Sequence, residues 1–198
     1  MITEYQLVQA SLQAWIDTVM ADFDSFLIDH ALCEKKAAGM AISTLSQHPD
    51  KTAIVAAMSE LAVEEMMHFR EVIKLIQNRG LVLTKDEKDP YIKQLRSFAS
   101  THQDRFLLDR LLMGSVVEAR GAERFQLVTD ALAAYRPEEI QLAKFYKAIA
   151  QSEARHYTLF LELAYEYYSA DMIAARLDEW LHKESEIMLS LALRPASH

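Results

Sequence analysis

The stretch V-E-E-M-M-H-F, residues 63–69, lies in a run whose apolar residues return every three or four positions, and Q-S-E-A-R-H-Y at 151–157 repeats its outline. Each contains Glu-x-x-His: Glu65 with His68, and Glu153 with His156. Residues three apart on a helix share a face, so each motif sends one carboxylate and one imidazole the same way. Working outward, each motif follows a lone glutamate on another helical stripe: Glu34, 31 residues before Glu65, and Glu118, 35 before Glu153. Two helices offering Glu-x-x-His and two offering a single Glu form the ligand set of a carboxylate-bridged two-metal site inside a four-helix bundle. One such motif arises readily by chance. Six residues on four matching stripes do not.

The stripes themselves choose the ligands. The first reads Leu27, Ala31, Glu34, Ala38, Ala41 and Leu45; the second reads Ile54, Met58, Leu61, Glu65, His68, Val72 and Leu75. The third is Leu108, Leu111, Ser115, Glu118, Ala122, Phe125 and Leu132, and the fourth is Leu142, Tyr146, Ile149, Glu153, His156, Phe160, Leu163 and Tyr167. Glu64 falls on the stripe of Glu60, Met67 and Glu71, so the periodicity prefers Glu65. Ionised carboxylates in an apolar core cost several kcal/mol each unless neutralised. Either protons or cations must fill the space between them. Four carboxylates cancel the charge of two divalent ions, and neutral imidazoles add none. Mixed oxygen and nitrogen donors suit iron or manganese, and oxidation of such a pair favours oxygen-derived bridges.

The bulk properties agree with long helices. Apolar residues make up 51% of 198 residues, while Gly and Pro occur four times each, which disfavours a fold of many short strands and turns. A formal net charge of -8 argues against broad, non-specific nucleic-acid binding and leaves room for a local basic patch. No run of 18 apolar residues is present, so no membrane association is expected. The start, M-I-T-E-Y-Q, lacks a secretion signal, and the single Cys33 fits a reducing compartment; a cytoplasmic location is expected.

Along the chain, the pattern predicts an amphipathic lead-in over roughly 4–20, anchored by Leu7, Leu12, Trp15 and Val19. Long helices follow over about 22–46, from Pro49–Asp50 to Arg79 with Gly80 as stop, from a Thr101–Asp104 cap pair to Tyr135, and from Pro137 to near Ser169. A short helix at 91–99 interrupts the long crossover of 81–101, a last helix covers about 171–192, and R-P-A-S-H is expected to fray. Glu118 and Glu153 repeat Glu34 and Glu65 at offsets of 84 and 88, which reads as a diverged internal duplication. No linker interrupts the chain.

The order of ligands resembles that of ferritin-like di-iron proteins. More specifically, D-H-A-L-C-E-K-K-A-A-G-M-A (29–41), M-S-E-L-A-V-E-E-M-M-H-F (58–69), V-V-E-A-R-G-A-E-R-F (116–125) and S-E-A-R-H-Y-T-L-F (152–160) resemble the bacterial tRNA hydroxylase family MiaE, across nearly the whole chain. The resemblance implies an all-α, ferritin-like four-helix bundle with a long crossover connection and additional N- and C-terminal helices, and one di-iron domain over 1–198. It implies a non-haem monooxygenase that hydroxylates the isopentenyl group of 2-methylthio-N6-isopentenyladenosine next to the tRNA anticodon. Two carboxylate-bridged iron ions would be held by Glu34, Glu65, His68, Glu118, Glu153 and His156, with O2 as co-substrate. Four glycines form no nucleotide-phosphate motif, so electrons are expected from an external reductase.

Other readings of the same ligand logic remain open: a ferritin-like iron-handling protein of ferroxidase type, or a peroxide-consuming manganese catalase. A rubrerythrin needs more cysteines than Cys33 supplies. The tRNA anticodon loop is expected to meet a confined basic stretch, Arg79, Lys85, Lys88, Lys93 and Arg96 with Tyr91 and Phe98 nearby, and next in line Lys35–Lys36 and Arg120–Arg124. His30, one turn before Glu34, reads either as a support for it or as an ordinary half-buried histidine. Glu64 reads as a support for His156. Ala37–Ala38–Gly39, Gly114–Ser115 and Gly121–Ala122 read either as room for oxygen and a prenyl chain or as close helix packing.

Overall fold

Helix ends in this chain follow from local chemistry. Asp22 accepts a hydrogen bond from the Ser25 amide at 3.2 Å and opens a helix over Phe23–Gln47. Gly80, at φ 71°, closes the next one: its amide reaches the Gln77 carbonyl at 2.9 Å while the Leu81 amide reaches Ile76 at 3.0 Å. That pair of bonds is a Schellman stop, and only glycine adopts its left-handed backbone without strain. Asp89 caps a short helix through the Tyr91 amide at 2.8 Å, with Pro90 at its first position.

The computed structural model describes residues 4–198, apart from the side chains of residues 103 and 104. In chain order the helices are α1 (Gln13–Ala21), α2 (Phe23–Gln47), α3 (Thr52–Asn78), α4 (Pro90–Phe98), α5 (Gln103–Tyr135), α6 (Ile140–Tyr167) and α7 (Ala170–Ser190). A 3-10 turn, Pro137–Glu139, leads into α6, and the described residues contain no strand. No helix among them is long and apolar enough to cross a membrane.

The described chain divides into two compact units. In one, Asp17–Glu87 with Arg194–Ser197, α2 packs along α3. Its buried face carries Leu27, Ala31, Glu34, Ala38 and Ala41 from α2, and Ile54, Met58, Leu61, Glu65 and Val72 from α3. In the other, Lys88–Leu193 with the N-terminal segment to Ile16 and His198, α5 packs along α6, and α7 lies on α4 and α5. Its buried face carries Leu108, Leu111, Ser115, Glu118 and Phe125 from α5, and Tyr146, Ile149, Glu153, His156 and Phe160 from α6.

Four boundaries differ from the sequence expectation. Residues 4–12 of the lead-in form no helix, and exposure alternates along them with period two. Side chains of α5 supply the hydrogen bonds that a helix would have made: Glu123 accepts from the Ser11 amide at 2.6 Å, and Arg120 Nη2 donates to the Gln9 carbonyl at 2.7 Å. Pro49–Asp50 forms a turn, so α3 starts at Thr52 instead. His102, not Thr101, occupies the cap of α5, with no side-chain capping bond; the side chain of Asp104 lies outside the described residues. The tail does not fray. The Ser197 amide donates to Asp29 Oδ2 at 2.7 Å, and the His198 ring stacks on Tyr91 at 5.0 Å.

Candidate metal centre

The α2–α3 unit places Glu34 and Glu65 on facing helices, with side chains 4% and 1% exposed, and His68 one turn beyond Glu65. Ligand atoms of these three residues lie within 4.8 Å of one another. Glu64 is 39% exposed, so burial distinguishes the two neighbouring glutamates as the periodicity does. His30 is fully buried rather than half-buried, and its Nε2 lies 2.5 Å from Glu34 Oε1. Burial opposes the charge on Glu34, but His30 and His68 outweigh it and hold the carboxyl below its ordinary range. Burial likewise opposes a proton on His68, yet Glu34 and Glu65 push its pKa up to about 9. A metal ion held there would take the place of that proton.

The α5–α6 unit repeats the arrangement. Glu118, Glu153 and His156 are all buried, and their ligand atoms again lie within 4.8 Å of one another. At Gly121 a Cβ would sit 3.6 Å from Glu153 Cγ and Oε2, an ordinary van der Waals contact that does not require glycine. Gly114 is more demanding, because a Cβ would fall 2.8 Å from the Phe160 ring. Gly114 therefore serves close packing. Gly39 does not, since a Cβ on it meets nothing within 4 Å.

The separations between donor atoms test whether these groups suit a cation. His68 Nδ1 lies 3.6 Å from Glu34 Oε2 and 3.4 Å from Glu65 Oε2. His156 Nδ1 lies 3.8 Å from Glu153 Oε2 and 4.0 Å from Glu118 Oε2. These distances exceed an ordinary N–H···O hydrogen bond of about 2.7–3.2 Å. Two donors each about 2.1 Å from a shared ion stand about 3.0–4.2 Å apart, so the donor sets fit. Charge agrees, because each donor set has two buried carboxylates and one imidazole, which a divalent ion would neutralise.

The ring nitrogens turned away from the carboxylates have different neighbours. Glu64 Oε1 stands 4.0 Å from Nε2 of His68, not behind His156 as the sequence suggested. Ser152 Oγ stands 3.4 Å from Nε2 of His156 and accepts a hydrogen bond from Arg155 Nη2 at 2.9 Å.

Beyond the ligands, the α5 segment 118–125 has a second task that the sequence did not disclose. Arg120 is fully buried and forks onto Glu184 of α7, with Nε to Oε1 at 2.8 Å and Nη2 to Oε2 at 2.9 Å. Its Nη1 also meets Glu123 at 2.6 Å, and Arg124 Nε donates to Ser11 at 3.1 Å. Glu118 thus faces one way while Arg120, Glu123 and Arg124 fasten the N-terminal segment and α7 on the other. That segment carries Tyr5, whose hydroxyl bonds Ser115 Oγ at 2.9 Å, one turn before Glu118. The i, i+3, i+4 spacing of these charges was the available signal.

The expected tRNA-contacting residues separate into two groups. Tyr91 is buried with its hydroxyl on Glu184 at 3.1 Å, and Phe98 packs edge-on against Trp180 beneath Arg176. Neither ring is free to stack on a base. Arg79 pairs with Asp24, Lys35 with Asp86 at 2.8 Å, and Lys36 with the Glu87 carbonyl. Arg120 and Arg124 are interior. Lys85, Lys88, Lys93 and Arg96 remain exposed.

Comparison with known proteins adds the following. The family described as tRNA-(MS[2]IO[6]A)-hydroxylase (MiaE) matches residues 2–198. A Pseudomonas putida protein, tRNA 2-(methylsulfanyl)-N(6)-isopentenyladenosine(37) hydroxylase, is 36% identical over 154 residues, 78% of this chain and 72% of that protein. A Salmonella typhimurium protein of the same name is 35% identical over 137 residues, 69% of this chain; the match spans about half, 48%, of that protein's length. Among solved structures, a Synechococcus protein described as having aldehyde deformylating oxygenase activity matches with a TM-score of 0.87 and 31% identity, over 97% of this chain and 93% of that one. The chain is all-α and ferritin-like, as its ligand order implied.

Proposed function

Because this chain belongs to the MiaE family of tRNA hydroxylases, we propose that it hydroxylates the isopentenyl group of 2-methylthio-N6-isopentenyladenosine at tRNA position 37, as a single functional domain. The observation that carries the proposal is the repeated donor set: Glu34, Glu65 and His68 in one helix pair, Glu118, Glu153 and His156 in the other, buried but for the half-buried His68. Each set of three would hold one iron ion. Two such ions would supply the activation of O2 needed to oxidise a C–H bond of the isopentenyl group. The balance is one O2, two electrons and two protons per hydroxyl group formed and water released, with an external reductase as electron source.

The protein's own residues do the remaining work. Nδ1 of His68 and of His156 faces the carboxylates, leaving each Nε2 to carry the ring proton. His30 steadies Glu34 through its 2.5 Å contact. Buried apolar residues on the same helix faces, Leu61 and Val72 in one pair and Phe125 and Phe160 in the other, would keep water from each donor set. On the outside, Lys85, Lys88, Lys93 and Arg96 meet anticodon-loop phosphates. Pairing of Asp86 with Lys35, and the use of Asp89 as a helix cap, reduce the opposing charge along that stretch.

The test is mass spectrometry of modified nucleosides from cells lacking this protein, restored with the native chain or with His156→Ala. Loss of hydroxylated isopentenyl adenosine, rescued only by the native chain, is the expected result. An unchanged nucleoside profile overturns the assignment and favours iron handling or peroxide consumption.

A further inference from the structure

The two imidazoles are supported differently from behind. A ring that gives its Nδ1 lone pair to a cation keeps its proton on Nε2, and whatever receives that proton tunes the ring's donor strength. Four residues before His68 stands Glu64, its Oε1 4.0 Å from Nε2. At that distance the carboxylate makes no direct hydrogen bond, and it favours a cation on the ring through its negative charge alone. At the same helical position before His156 stands Ser152, 2% exposed, its Oγ 3.4 Å from Nε2. That oxygen already accepts from Arg155 Nη2 at 2.9 Å, while Arg155 Nη1 is anchored on the Gln151 carbonyl at 3.1 Å. A neutral oxygen engaged by a guanidinium pulls weakly on the ring proton, and the cationic group opposes a second positive charge at Nδ1.

Resting on the two-metal reading above, we propose that Ser152 and Arg155 are positioning residues that make the ion held through His156 the weaker-bound of the two, whereas Glu64 strengthens the ion held through His68. The site therefore fills in order, first at His68 and then at His156, and its two ions differ electronically although their ligands match.

The experiment is calorimetric titration of the metal-free full chain with Co2+, with visible absorption reporting coordination. Two binding steps that differ by about tenfold in affinity are expected. Arg155→Gln and Ser152→Asp should each tighten the weaker step several-fold, up to about tenfold, and Glu64→Gln should weaken the tighter step by a similar factor. A purely structural role at 152 or 155 would weaken binding or lower the melting temperature, never tighten it. Arg155 is exposed, so Arg155→Gln decides the matter even if Ser152→Asp does not fold. Two equal steps, or an Arg155→Gln protein whose weaker step is unchanged or weaker still, overturn the inference while leaving two-ion binding intact. Uptake of fewer than two ions overturns the two-metal reading and this inference with it.

Discussion

Moving 84 positions along the chain carries Glu34 of α2 onto Glu118 of α5, and moving 88 carries Glu65 and His68 of α3 onto Glu153 and His156 of α6. The same shifts carry His30 onto Gly114, Lys36 onto Arg120, Glu64 onto Ser152 and Met67 onto Arg155. The α2–α3 pair buries an imidazole against its lone glutamate, whereas the α5–α6 pair seats the Phe160 ring over a glycine. Cations after the α2 ligand lie at the surface and hold a loop, while their α5 counterpart lies in the interior and holds α7. Matching ligands therefore do not imply matching surroundings. Ligand identity is set by the ion, and the surroundings are set by what each helix packs against.

The harshest test of equivalence is to remove each nitrogen donor. His68→Ala and His156→Ala should both abolish hydroxylation and lower metal content from about two ions per chain to about one, read by elemental analysis and nucleoside mass spectrometry. Full activity in either variant would break the assignment.

Next in size is the contrast between buried and exposed ion pairs. Glu184→Ala strands Arg120 in the interior and should cost about 3–5 kcal/mol in urea unfolding. Asp86→Ala, which removes the exposed partner of Lys35, should cost less than about 1 kcal/mol. Similar losses in the two variants would show that the Arg120 fork is not a buried constraint.

The glycines give a smaller contrast with opposite signs. Gly114→Ala drives a Cβ into the Phe160 ring and should destabilise by about 1–3 kcal/mol, with partial recovery on adding Phe160→Leu. Gly39→Ala, mid-helix with nothing within 4 Å of a new Cβ, should stabilise by about 0.5–1 kcal/mol. Thermal melting of both variants checks the pair. Destabilisation by Gly39→Ala would mean that its neighbourhood is tighter than the structure shows.

Much of this was readable before any coordinates. Glu65 was separable from Glu64 by its stripe, and burial agrees, because which face a residue occupies on a helix depends only on residues a few positions away. Gly80 announced the end of α3 for the same local reason. The non-helical course of residues 4–12 was not legible, because α5 side chains bond their backbone, a contact more than 100 residues distant in sequence. The engagement of Tyr91 and Phe98 was not legible, since only their contacts with α7 reveal it.

The sequence by itself determined the long helices, their apolar faces and the family, and it singled out the six proposed donors, all of which are encoded in short-range spacing and motif. Only the tertiary structure decided what stands behind each donor: His30 on Glu34, Glu64 behind His68, Ser152 and Arg155 behind His156. It also decided that Arg120 is interior and that the tail is docked on Asp29 and Tyr91. The physical reason is that a buried polar group must find a partner somewhere. Periodicity says that the group is buried, and only the packed chain says which distant residue meets it.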